Sequence, residues 1–326
     1  MNNTVQARCD LFLRNRDAVH DAFPWDSGMM HVCCGNLYTM RGAEANTESI
    51  KECKRLMNER MGIFSNFRST ARNILICMMD LSGDAEGLLT RANDVYERLK
   101  KVFFTSSYLP VTAMILAEQV EPSHYDELVA RTREIYDQMK QQHPMLTSAE
   151  DSVLCALLAM SGLTDAELID RMETSYDSLK KSFFFGNSVQ AVSHVMALTP
   201  GDIGEKCERM MQLFEALKNA GSKWGTSYEL PVLAILCEDP RRNDELVNEI
   251  LECETWLKAQ KGFGFFSSVS RAQRLMYAGL LTQDTANGAA DAAVVNGTMS
   301  IIIAEQVAIS AAVAASVAAS SSSSSR

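Results

Sequence analysis

Residues 141 to 159, QQHPMLTSAEDSVLCALLA, bring an imidazole, a hydroxyl and two carboxylates close together. His143, Thr147, Glu150 and Asp151 fall within nine residues, just ahead of an apolar run. Such a set could move protons, since histidine titrates near neutral pH and carboxylates serve as general acids or bases. The same residue types also start helices. A Ser or Thr three residues before a Glu is the capping box, which satisfies backbone N–H groups that have no partner at a helix start. Thr147 with Glu150 fits it, as does Thr226 with Glu229. Capping is the reading we take for Thr147 and Glu150.

Other polar residues exceed what capping needs. Arg68, Arg72, Asp151, Gln190, His194, Glu229, Arg271 and Arg274 stand on the first turns of segments that are otherwise apolar, and Tyr228 lies beside Glu229. Two readings compete. These groups form ion pairs from one repeat of the chain to another, such as Arg72 or Arg271 with Asp151 or Glu229. Alternatively they line a pocket in which arginines hold an anion and His194 or a carboxylate handles a proton. His20, His124 and His143 read as helix-end hydrogen bonders. No phosphate loop, HExxH or GxSxG is present, and the cysteines show no metal spacing. No cofactor and no metal are therefore expected.

The elements that carry these residues repeat. VYERLKK, IYDQMKQ, SYDSLKK, LFEALKN and CETWLKA place a lysine at 100, 140, 180, 218 and 258, and CKRLMNE at residue 53 is a weaker copy. A fixed period of this size marks repeated supersecondary units. Each unit predicts an amphipathic helix A, a corner, and a shorter, more apolar helix B that ends at Gly, Pro or an acidic turn. The expectation is an all-α chain of about seven αα-hairpins of roughly 40 residues over residues 1–284, with no strands. Stacked hairpins bury a core that no single hairpin could. The array is either an open α-solenoid or a closed αα-toroid. The Ala/Val/Ser-rich stretch 285–326 predicts a further helix and then a disordered serine tail.

Composition narrows the partners. With 47% hydrophobic and 22% charged residues, the chain reads as an ordinary soluble globular protein. A net charge of −10 argues against nucleic acid and against anionic membranes, both of which need a positive face. The nine cysteines are scattered and odd in number, which predicts buried reduced thiols in a cytoplasmic protein. The N-terminus lacks the pattern of a signal peptide, and the stretch 299–319 is too rich in Ala and Ser to favour a membrane span.

GIFSNFR, HPMLTSAEDSV, GNSVQAVSHVMAL, GTSYELP, QKGFGFF and the Ala/Ser-rich ending together resemble one bacterial family, domain-of-unknown-function family number 4003, found mainly in Firmicutes. The resemblance runs nearly end to end in the same order. It implies a single bacterial cytoplasmic protein type and carries no activity or catalytic residues with it. Three readings of function remain. The first is a helical-repeat scaffold for a protein or peptide partner. The second is an αα-toroid hydrolase or lyase using Asp151, Glu229, His194 and Tyr228. The third is a small-molecule sensor that self-associates through the C-terminal helix.

Overall fold

The computed structural model describes residues 1–264 and 267–283. The expected C-terminal helix, and any association through it, lies outside these residues. Among the described residues there is no strand, and the α-helices number fourteen. Seven amphipathic helices are α1 (Asn3–Ala22), α3 (Thr47–Arg60), α5 (Ala85–Leu99), α7 (Tyr125–Gln142), α9 (Asp165–Leu179), α11 (Ile203–Asn219) and α13 (Asn243–Lys258). They alternate with seven apolar ones: α2 (Gly28–Met40), α4 (Arg72–Leu81), α6 (Leu109–Gln119), α8 (Asp151–Met160), α10 (Gly186–Leu198), α12 (Leu230–Leu236) and α14 (Arg271–Thr282). The A and B helices read from the sequence thus both form.

The chain divides into two compact units. One takes Met1–Leu13, Asp137–Thr147 and the described residues from Met160 onward. In it α9, α11 and α13 pack in succession, as do α10, α12 and α14, and α9 pairs with α10 and α13 with α14. The first turns of α1 sit on the last hairpin: Phe12 lies 5.9 Å from the rings of Phe263 and Tyr277, and the Cys9 and Cys253 sulfurs are 3.4 Å apart. The other unit takes Arg14–Tyr136 and Ser148–Ala159. There α2, α4 and α6 pack in succession and α3 meets α5.

Apolar burial drives both layers. Every residue from Leu109 to Ala117 of α6 is buried, whereas α5 buries one stripe, Leu88, Leu89, Ala92, Val95, Tyr96 and Leu99. A helix that is apolar all round must be enclosed, and one with a stripe covers it. Close approach needs small residues at two crossings. A Cβ on Gly35 would stand 2.7 Å from the Arg16 backbone nitrogen, and one on Gly279 would stand 2.6 Å from Leu236 Cδ1 and 3.1 Å from Trp224. Gly279→Ala is expected to lower stability by about 1–3 kcal/mol through overpacking, read as a lower urea midpoint with an unchanged slope.

All nine cysteines are buried and reduced. Burial pushes the Cys53 thiol up to about 12 and the Cys207 thiol to about 11. The Cys34 thiol, hydrogen-bonded to Cys77 and enclosed, is raised as well. Thiolate is the reactive and metal-binding form, so these environments favour packing over chemistry.

Candidate functional site: the corners between paired helices

Every A helix after α1 has an acidic first turn, and every one but α9 carries a basic residue in its last turn, as the helix macrodipole favours. Glu86, Asp126 and Glu127, Asp165 and Glu167, Glu205, and Asp244 and Glu245 occupy first turns. Arg60, Arg98, Lys140, Lys218 and Lys258 occupy last turns. The corner to the B helix then follows. Caps are supplied by Ser27, which accepts from the Met30 N–H, by Ser65, which accepts from Phe67, and by a full capping box of Ser270 with Gln273.

The two boxes expected at Thr147–Glu150 and Thr226–Glu229 do not form. The helix after Thr147 starts only at Asp151, whose carboxylate accepts from the Ser148 N–H at 2.7 Å. Thr147 is buried and its hydroxyl accepts from Gln190 Nε2 at 3.0 Å instead, while Glu150 accepts from the Tyr108 hydroxyl. Glu229 is the residue before α12 and makes no side-chain cap; its carbonyl accepts from the Trp224 indole at 2.8 Å. In both cases the first helical turn begins later than the box spacing requires.

The predicted site residues are each held locally. Arg68 donates to the Met61 carbonyl, and Arg72 meets Asp26 at 3.7 Å and Asn73 at 3.2 Å. Arg271 donates to Ser222 Oγ at 2.8 Å, and Arg274 pairs with Glu254 at 3.0 Å. Arg72 thus pairs from one hairpin to the next, as the ion-pair reading expected, but with Asp26 rather than Asp151 or Glu229, whereas Arg274 pairs with Glu254 inside a single hairpin, which that reading did not expect. Gln190 ties α10 to the preceding corner through Thr147. His194 is enclosed on α10; burial, with a smaller push from the nearby His143, lowers its pKa to about 3. It is neutral at physiological pH, and His143 pairs with Glu173 at 2.9 Å. Tyr228 is exposed at its corner.

Two features were not read from the sequence. The first is a row of arginines nine residues ahead of the repeating lysines. Arg91, Arg131 and Arg171 donate to the carbonyls of Ala117, Ala159 and Ala197, and Arg209 donates to those of Asp239 and Arg241. The first three reach the C-terminal end of the B helix that follows, where carbonyls lack helical partners, and Arg209 reaches the turn just beyond α12. The signal was present, since positions 91, 131 and 171 keep the 40-residue step. Arg171→Met should cost about 1.5–3 kcal/mol, the usual scale for a hydrogen bond to a charged group, measured by urea unfolding, with Arg171→Lys recovering part.

The second feature is a doubling of apolar residues at the corners. One member of each set is buried: Phe23, Phe67, Phe103, Phe183 and Trp224. The other stands out: Trp25, Phe64, Phe104, Phe184 and Tyr228. Met145, with its half-buried neighbour Leu146, repeats the pattern. Trp25, Phe64, Phe104, Met145 and Phe184 each leave at least 91% of their surface in solvent. The buried member belongs to the core. The exposed member leaves much of its surface in solvent. Every large hydrophobic residue exposed among the described residues (Ile63, Val102 and Phe185 complete the set) lies at a corner from an A to a B helix. Connections from B to A carry none.

No cluster among the described residues could hold a metal ion, and no described helix is long and apolar enough to cross a membrane. The chain is 26% identical over 286 residues to the "Uncharacterized protein YeaA" of Bacillus subtilis (strain 168), covering 80% of this chain and 85% of that one. No solved structure matches it. The model of the family described as "Protein of unknown function (DUF4003)" matches residues 15–312, nearly the whole sequence, and the chain belongs to that family.

Proposed function

We propose that the protein is a docking scaffold, built of repeated hairpins, that engages another macromolecule through its A-to-B corners. The observation that carries this reading is the row of exposed apolar side chains at 25, 64, 104, 145 and 184, spaced like the hairpins themselves. Soluble proteins scatter single exposed apolar residues without pattern. A row confined to one kind of connection, with a buried or, at Met145, half-buried partner at each place, is an arrangement for contact. The residues predicted to line a pocket support the same view, because Asp151, Arg271 and Arg274 are engaged in a helix start, a corner tie and a buried ion pair. A protein or peptide is the partner first expected of stacked hairpins.

Oxidative footprinting tests the docking reading. Trp25, Phe64, Phe104, Met145 and Phe184 are expected to label readily in purified protein and to be protected in the producing cell. Equal labelling in both settings would remove the basis for a docking edge.

A further inference from the structure

We propose that Cys9 and Cys253 form a redox latch, in which a peroxide joins their sulfurs in a disulfide that locks the first turns of α1 to the last hairpin. This goes beyond the docking reading and does not depend on it. The two sulfurs already lie 3.4 Å apart, and both residues are fully enclosed. A disulfide holds its sulfurs at about 2 Å, so a short approach closes the bond. Cys9 stands on α1 and Cys253 on α13, 244 residues further along, and both belong to the same compact unit.

Two observations single out this pair. The first is how lightly the first turns of α1 are held. Among residues 1–13 only Val5, Cys9 and Phe12 are buried, a single stripe at helical spacing with Cys9 at its centre. The remaining ties are polar. The Met1 amino group and Asn2 meet Glu252 and Glu249 of α13, and Arg8 donates to the Leu281 and Gln283 carbonyls. A segment with few buried apolar contacts opens locally at less cost than the whole fold. Opening this one brings Cys9 into solvent and uncovers Cys253. The second observation is the contrast with Cys34 and Cys77, which are also hydrogen-bonded to one another. They stand on α2 and α4, where His31–Thr39 and Asn73–Met79 are buried without interruption. Exposing that pair means opening the core of its unit.

The hydrogen bond from Cys9, together with burial, holds the Cys253 thiol above its ordinary range, so the closed pair offers little of the reactive thiolate. Opening is therefore the gate. Once in solvent, Cys9 loses its proton and its sulfur attacks one oxygen of the peroxide. The O–O bond breaks, which leaves a sulfenic acid on Cys9 and, with that proton, one molecule of water. When α1 settles back, the Cys253 sulfur displaces the hydroxyl group of the sulfenic acid. The S–S bond forms, the S–O bond breaks, and the Cys253 proton departs with the hydroxyl as a second water. The two thiols together lose two electrons and the peroxide gains them. A thiol reductant reverses the bond by exchange.

The test is treatment of the purified full chain with hydrogen peroxide, alkylation in denaturant, and peptide mapping without reductant. The expected result is a linked pair of peptides carrying Cys9 and Cys253, lighter by two hydrogens than the free peptides together and released by dithiothreitol. Hydrogen exchange over residues 3–13 of the oxidised chain should slow by about tenfold or more, the scale on which a cross-link suppresses local opening. Cys9→Ala and Cys253→Ala should each lose the link and the slowing, and the map of the parent decides the matter even where a variant folds poorly. Cys34 and Cys77 should stay unlinked at the same dose. Both latch thiols still alkylated after treatment, Cys9 carried on to a sulfinic acid without a link, or a Cys34–Cys77 link formed as readily would each overturn the proposal. So would a linked chain whose first turns exchange as fast as before.

Discussion

Arg274→Met will lower the stability of the fold by about 3–5 kcal/mol, the range seen when one partner of a buried ion pair is removed. Arg274 and Glu254 lie 3.0 Å apart, with each side chain only 9% exposed. Arg274 stands on α14 and Glu254 on α13, so the pair joins the two helices of the last hairpin. Removing the guanidinium leaves the Glu254 carboxylate buried and uncompensated, and that desolvation dominates the loss. The double variant Arg274→Met/Glu254→Leu separates this from any special value of the pair. It replaces both charges with apolar groups of similar size, a change that is often close to neutral. Urea unfolding of the parent, both single variants and the double variant should therefore show two large losses and a substantial recovery. Such a recovery identifies Arg274 as a packing residue of the fold. A double variant as weak as Arg274→Met would contradict the explanation.

The second large effect is acid destabilisation through His194. Its folded pKa is lowered to about 3 by enclosure in α10, with His143 adding a smaller push. An unfolded histidine titrates near 6.5. A lowered folded value means that stability is complete above the unfolded pKa and is lost as the pH falls. The unfolded chain then takes up a proton that the folded chain refuses. Between roughly pH 6.5 and pH 3 each unit of pH should remove a little over 1 kcal/mol, so about 3 kcal/mol is gone at pH 4.5. His31, also lowered by burial, acts in the same direction. His194→Gln is neutral throughout and should lose the His194 share of the slope while keeping that of His31. The measurement is the urea midpoint of parent and variant from pH 7 to pH 4.5. Parallel profiles would show that the imidazole accepts its proton in place.

The fold was legible because its signal is periodic. The lysines at 100, 140 and 180, and the apolar runs between them, announced an amphipathic helix and then a buried one, and both kinds formed. Corner chemistry was harder to read. Thr147 and Glu150 have capping spacing, yet the backbone enters α8 only at Asp151, and Thr147 is taken up by Gln190 from the next hairpin. Sequence spacing carries no information on that competing partner. Arg72 illustrates the same limit, since it lies 46 residues from Asp26 in the chain and reaches it only through the packing of α4 beside α2. The exposed corner residues were missed for another reason. Phe103 and Phe104, or Phe183 and Phe184, look equivalent in sequence, and only the direction of each side chain tells the core residue from the one left in solvent. The doubling was the available clue, because these corners carry two large apolar residues where the core takes up one.

The most direct test of the docking edge is site-specific photo-crosslinking in the producing cell. A photoreactive residue replaces Phe104 or Phe184 at the corners, or Glu121 or Gly162 at the connections from B to A. All four positions are exposed, so each variant should fold as the parent does. The account predicts strong adducts from Phe104 and Phe184 and weak ones from Glu121 and Gly162. Equal yields from all four positions would contradict it.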